Sequence, residues 1–407
     1  MIGVSAQAKE VGSEGRQYRV GIVALSDPSY GGTYQYTLSM IDALRSNPAF
    51  HCTLYTTTEN RHYDVLGIGI ERLPGKARAF LHFLRSGLLG RPGDGMFRGA
   101  DVLIAPIYTT RLLCARQPFI FTLHDLQERY FPENFSLLQR VWRELSNRLL
   151  TRSATRIICE SRNVREDICK FLNVRPDRVV VLPAPPVSAF GEIVVSDRLK
   201  HRVKASLMLG DRFIFYPAQF FPHKNHIRLV QAFSQALERF PDCQLVLTGQ
   251  KKYEYERVMS CVARLNIDKC VRHLGYIDTE TLAAVYKLAT CVFIPTLFES
   301  ISIPMYESFV LGVPVCASNV VALPEQMGDA GVLFDPLSVA DMAEKICQIL
   351  SDSELRQSLV ERGRKRIAQL SSANYTGKLQ DLLVEVIERS RILDAQASKV
   401  GAAGRGI

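Results

Sequence analysis

Short apolar runs alternate with amphipathic stretches along most of the chain, and the period of each stretch predicts its secondary structure. In the second half the runs are Phe213 to Tyr216, Gln244 to Thr248, Val271 to Tyr276, Cys291 to Pro295, Pro314 to Ser318 and Gly331 to Phe334. Short apolar runs bounded by turn residues are the signature of strands buried on both faces. Between the first two, Ile227, Val230, Phe233, Leu237 and Phe240 recur at helical spacing. Asp278 opens a helix carrying Leu282, Val285 and Ala289, and Ser338 with Asp341 opens another.

The first half repeats the theme. Tyr18 to Leu25, Val102 to Pro106, Phe119 to Leu123, Arg156 to Glu160 and Val179 to Leu182 read as strands, and Tyr36, Leu38, Ile41 and Leu44 as one face of a helix. Such alternation predicts an α/β fold of parallel sheets covered by helices on both faces. Pro183-Ala184-Pro185-Pro186 can sustain neither a helix nor a central strand. It divides the chain into two doubly wound, Rossmann-like domains, residues 17–190 and 205–370. Residues 371–397 predict a C-terminal helix that returns towards the first domain, and residues 1–16 and 398–407 are expected to be disordered. Ligands of open parallel sheets bind beyond the carboxyl ends of the strands, so two such domains facing each other enclose a cleft.

Composition narrows the class. The 407 residues are 47% hydrophobic and 22% charged, ordinary for a globular protein of two or three domains. No apolar stretch reaches the length of a membrane span and the first residues lack a signal-peptide core, which predicts a cytoplasmic protein. The 10 cysteines follow no metal-ligand spacing, and Cys159, Cys291 and Cys316 fall in strand-like runs, so reduced buried thiols are expected, with no zinc. A net charge of +9 implies anionic partners. No helix-turn-helix, RRM or zinc-finger pattern provides for nucleic acid. Lys76, Arg78, His82 and Arg85 share a helical face beside Phe80, Leu81, Leu84 and Leu88. That pattern fits a helix lying on an anionic bilayer, and an ordinary surface helix is the plainer reading.

Candidate chemistry concentrates at strand ends. Glu299 and Glu307 stand eight positions apart across a strand-to-helix junction. Ser302 is placed to cap a helix opened by Pro304 and closed where Gly312 can turn left-handed before Pro314. Free N–H groups and the dipole at that helix start suit an anion such as a diphosphate, with Glu307 about 5 Å further along the axis. The two acids could grip hydroxyls on either side of it, or could simply be solvated helix-end acids. Gly31-Gly32-Thr33 follows the first strand, where a glycine pair lets backbone approach an anion or merely makes a turn. His124-Asp125 follows the strand ending at Leu123, and Phe221-Pro222-His223-Lys224-Asn225 follows the first strand of the second half. His223 and His226 lack a third metal ligand.

Taken together, FESISIPMYES from Phe298, Gly312-Val-Pro-Val, Lys224 in FPHKN, and Ala322-Leu-Pro-Glu325 before Gly328-Asp-Ala-Gly331 resemble the retaining nucleotide-sugar glycosyltransferases of family 4. The resemblance runs from about Tyr18 to Ser351 and implies the GT-B architecture. It implies that Lys224 neutralises the donor diphosphate with the N–H groups of Ser300, Ile301 and Ser302, that Glu307 holds the ribose, and that Glu299 orients the transferred sugar. By the same resemblance His124 contacts a sugar hydroxyl, and Gly249 and Tyr276 flank the base. Gln219 stands where members commonly carry an arginine, and Ser300 and Ser302 where glycines are usual. No Asp-x-Asp triplet is present, so no metal-clamped diphosphate and no cofactor beyond the donor are expected. The segments around His124 and Lys224 are similar to those of bacterial polysaccharide and lipopolysaccharide mannosyltransferases. They point to a donor such as GDP-mannose and a carbohydrate or lipid-linked acceptor; a noncatalytic nucleotide-sugar-binding or partner-subunit protein is the alternative.

Overall fold

In a computed structural model, which describes residues 17–28, 32–75, 96–183, 193–370 and 372–403, the chain forms two parallel sheets. The first contains β1 (Tyr18–Val23), β2 (Phe50–Thr57), β3 (Gly69–Leu73), β4 (Val102–Ala105), β5 (Phe119–Thr122), β6 (Arg156–Cys159) and β7 (Val179–Val181). Its order is β3-β2-β1-β4-β5-β6-β7. The second contains β8 (Phe213–Pro217), β9 (Gln244–Thr248), β10 (Val271–His273), β11 (Cys291–Ile294), β12 (Val315–Ser318) and β13 (Val332–Phe334), in the order β10-β9-β8-β11-β12-β13. Every strand expected from the sequence is present, which gives the doubly wound fold its two halves.

β2 and β3 were not anticipated. They form one side of the first sheet, where the residues mix polar with apolar: β3, at the edge, is Gly-Ile-Glu-Arg-Leu, buried only at Leu73. Such an edge carries neither the continuous apolar run of a central strand nor a clean alternation.

The strand order reverses between β1 and β4 in one sheet and between β8 and β11 in the other. Connections on either side of a reversal leave in opposite directions and open a crevice at the carboxyl ends. Lys224 lies beyond β8 and Glu299 beyond β11, so both flank the second crevice. Buried Phe213, Phe215, Tyr286 and Phe293 anchor that sheet; Phe293 stacks on Phe334 with ring centres 4.4 Å apart. Fully burying a side chain of this size contributes roughly 2–3 kcal/mol.

The helix Ser372–Ala403 crosses back to the first domain, where Tyr375, Leu379, Leu383 and Ile387 are buried in its core and Gln380 Nε2 donates to Ala43 O at 2.8 Å. It continues past residue 398, where disorder was expected: alanine favours helix strongly enough to carry the turn over a single glycine. Residues 1–16, 404–407, the linker residues 184–186 and the basic segment around Lys76 to Leu88 lie outside the described residues.

The domains touch around the cleft. Phe298 packs against Tyr130 and Phe131 at ring distances of 5.4 and 6.0 Å. The Arg162 N–H, in the first turn of the helix Arg162–Leu172, donates to Glu325 Oε2 at 2.8 Å. All ten cysteines are free thiols. Among the described residues no helix is long and apolar enough to cross a membrane.

Candidate active site

A cleft of about 550 Å³ lies between the two domains. From the first domain come Gly32, His124, Asp125 and Glu160; from the second come Gln219, Lys224, Glu299, Ser300 and Ile301. Seven of the twelve residues picked out from the sequence as catalytic or donor-binding therefore meet here: Gly32, His124, Gln219, Lys224, Glu299, Ser300 and Ile301.

Two loops of the second domain build the cationic wall, and they are stitched together. The His223 carbonyl accepts from the Leu297 N–H at 2.7 Å and from the Thr296 hydroxyl at 3.1 Å. Asn225, left-handed at φ 60°, sends its amide to the carbonyls of Pro295 and Pro336. With the loops fixed, Lys224 Nζ meets Glu299 Oε1 at 2.8 Å. Glu299 Oε2 is buried and has no partner. A buried acceptor without a donor is costly unless a ligand hydroxyl fills it.

The helix Ile303–Leu311 begins at Ser302, has Pro304 in its first turn and closes on Gly312 at φ 69°. The capping expectation for Ser302 is corrected here. Its hydroxyl makes no cap bond and is buried without a partner, while Gln326 brackets its backbone, accepting from the N–H at 2.7 Å and donating to the carbonyl at 2.6 Å. The Ser302 N–H is thus already used, and within this turn only Ser300 and Ile301 line the cleft.

Glu307 lies deeper, off the cleft lining. Its Oε2 accepts from the Tyr286 hydroxyl at 2.5 Å. Burial raises its pKa to about 7, against the smaller lowering effect of that hydrogen bond. Gly249, at φ 118°, abuts the cleft from behind: an added Cβ would sit 2.5 Å from Ala218 O and 3.0 Å from Gln219 N. Tyr276 is 85% exposed, in the loop after β10, and does not reach the cleft lining. Gly31 lies outside the described residues.

His124 lines the cleft from the first domain. Its Nδ1 lies 2.7 Å from Glu160 Oε2 and its Nε2 2.9 Å from Pro106 O, so both ring nitrogens are engaged within the first domain. Desolvation lowers its pKa, yet the charge and hydrogen bond of Glu160, with Asp125 and the Pro106 carbonyl, raise it overall. His223, by contrast, is pushed down to about 3 by burial and by Lys224. Among the described residues no three His, Cys, Asp or Glu side chains cluster as a metal site.

Glu160, Gln326 and Tyr286 were not singled out from the sequence. Glu160 ends the run predicted as a strand, so the strand-end rule that picked out His124 applied equally to it. Gln326 directly follows Ala322-Leu-Pro-Glu325. Tyr286 carried no local signal.

The comparisons agree with this geometry. Residues 30–185 match the family model "Glycosyltransferase Family 4" and residues 197–366 match "Glycosyl transferases group 1". The chain is 29% identical over 261 residues to O-antigen chain mannosyltransferase B of Escherichia coli, covering 63% of this chain and 68% of that protein. It is 25% identical over 256 residues to the serotype-specific mannosyltransferase WbdA of Escherichia coli, covering 61% of this chain but only 31% of that longer protein. Anabaena Alr3699/HepE, solved with UDP and glucose, superposes with a TM-score of 0.73 at 15% identity, over 91% of this chain and all of that one.

Proposed function

Since the chain belongs to the family 4 glycosyltransferases of GT-B fold, we propose that it moves a hexose, mannose foremost, from a nucleoside diphosphate sugar to an acceptor hydroxyl with retention at the anomeric carbon. The acceptor class is a growing polysaccharide, lipopolysaccharide or glycolipid, met at the cytoplasmic side of a membrane. The observation that carries the reading is the Lys224–Glu299 pair beside the Ser300–Ile301 turn, in a cleft whose other wall comes from the first domain.

In this reading the Lys224 ammonium and the turn take up charge as the diphosphate departs. Glu299 turns its unpartnered Oε2 towards a hydroxyl of the sugar and supports the positive charge that develops there. Glu307, fixed by Tyr286, receives the ribose when it ionises. Closure of the cleft, which Phe298 lines, over the donor would exclude water from the reacting bond. No step calls for a metal: an ammonium and a helix start fill that role. The mannosyl preference is supported by the two mannosyltransferase relatives.

The test is a panel of nucleotide sugars read by thermal shift, then by product formation with NMR of the anomeric configuration. GDP-mannose is expected to stabilise the protein most and to give an α-linked product. Stabilisation by no nucleotide sugar would remove the reading. Stabilisation by a donor, with neither transfer nor slow release of nucleoside diphosphate, would favour the noncatalytic alternative, to which the uncharged Gln219 in the cleft wall lends support.

A further inference from the structure

We propose that Glu160 is a positioning residue that keeps His124 doubly protonated, so that the first domain presents a fixed cation to the donor diphosphate. The inference rests on the donor reading above and adds a residue and a charge to it.

Hydrogen-bond direction carries the argument. Pro106 O, at 2.9 Å from Nε2, can only accept, so Nε2 carries a hydrogen. Nδ1 faces Glu160 at 2.7 Å, and an ionised carboxylate there likewise only accepts. A ring with acceptors on both nitrogens is an imidazolium. It then has no lone pair with which to act as a base, and no spare N–H for a sugar hydroxyl.

What the ring offers the cleft is charge. Both residues border the cleft, and with the His124 side chain 22% exposed against 2% for Glu160 the positive member of the pair is the more open to it. On the opposite wall Gln219 is neutral, His223 is held neutral, and Lys224 shares its charge with Glu299. Among the described lining residues, His124 is the one other cation this chemistry provides.

The groups packed around the ring are consistent with it. Asp125, next in the chain, is paired with Arg143 at 3.4 Å. Tyr36 meets the ring edge-on at 5.0 Å and bonds to Thr122, with Tyr375 beyond it. Tyr306 approaches Glu160 from the second domain, and Lys224 and Glu299 face the ring across the cleft. Among the described residues no second cation touches the imidazolium. Its charge is present at low pH and is lost as pH rises through the raised pKa.

Two measurements test this. Histidine-selective ¹⁵N labelling, with His124→Asn to assign the resonance among 8 histidines, reads the ring without any donor. The wild type is expected to show both His124 nitrogens protonated at pH 7, and Glu160→Gln to show a neutral tautomer. Titration calorimetry with GDP-mannose and GDP from pH 6 to 9 reads the consequence: at pH 7.5 Glu160→Gln is expected to bind both about tenfold more weakly, with its loss of affinity shifted to lower pH, and Glu160→Asp to recover part of it. A neutral His124 in the wild type, or superimposable pH profiles for wild type and Glu160→Gln, would overturn the inference. Failure of the wild type itself to bind any nucleotide sugar would instead overturn the donor reading.

Discussion

Lys224 and Glu299, 75 residues apart in the chain, form an ion pair of 2.8 Å that uses one oxygen of the carboxylate and leaves the other buried and unpartnered. The ammonium is thus held in position before a donor arrives, and the acid keeps one acceptor in reserve. Binding adds a second anion to the lysine without moving it, which lowers the ordering cost of recognition.

Removing either member of this pair is expected to lower turnover by several orders of magnitude while leaving the far-ultraviolet circular dichroism unchanged. Lys224→Ala also strands a largely buried carboxylate, at a stability cost of about 2–3 kcal/mol in urea unfolding. The double variant Lys224→Ala/Glu299→Gln should regain most of that stability and none of the activity. A fully active Glu299→Gln would sink the proposed role.

Gln326 holds the turn that carries Ser300 and Ile301. Gln326→Leu removes both bonds to the Ser302 backbone and leaves a buried N–H and carbonyl unpaired, a loss of about 2 kcal/mol or more. Donor KM should rise well beyond any change in acceptor KM, as steady-state kinetics would reveal. Equal effects on both substrates would indicate a general loss of structure.

The raised pKa of Glu307 makes stability fall with pH in a defined window. Its folded value of about 7 lies above the ordinary 4.5, so the folded state holds the proton more tightly. The contribution is complete below about 4.5 and lost as pH climbs through about 7. That span corresponds to roughly 3 kcal/mol at most. Glu307→Gln should therefore match the wild type in Tm near pH 4.5, exceed it at pH 8, and bind the donor more weakly at pH 8. Parallel Tm curves for the two proteins would contradict the assignment.

Gly249 has both a strained φ of 118° and no room for a methyl group, which would lie 2.5 Å from Ala218 O. Gly249→Ala is expected to cost about 2–4 kcal/mol and to push the Ala218–Gln219 strand end into the cleft. Chemical denaturation together with donor titration would measure both effects. Wild-type stability in this variant would mean the backbone relaxes there freely.

The sequence alone determined the alternation of elements, the central strands and the Gly312 and Asp278 helix boundaries, because each rests on neighbours within a few residues: apolar period, glycine and capping side chains. It also placed Lys224, Glu299, Gln219 and His124 at strand ends, which in a doubly wound sheet is already half of their address. Only the tertiary structure decided who partners whom. Gln326 reaches Ser302 across 24 residues, Glu160 reaches His124 across 36, and Glu325 reaches Arg162 across 163. Local propensity is blind to such separations, and each changes the chemistry of its partner, taking an N–H out of use, fixing a proton or joining two domains. The strands β2 and β3 were hidden for a related reason: β3, at the sheet edge and buried only at Leu73, is held by pairing to β2, and β2 by pairing to β1, rather than by an apolar pattern of their own.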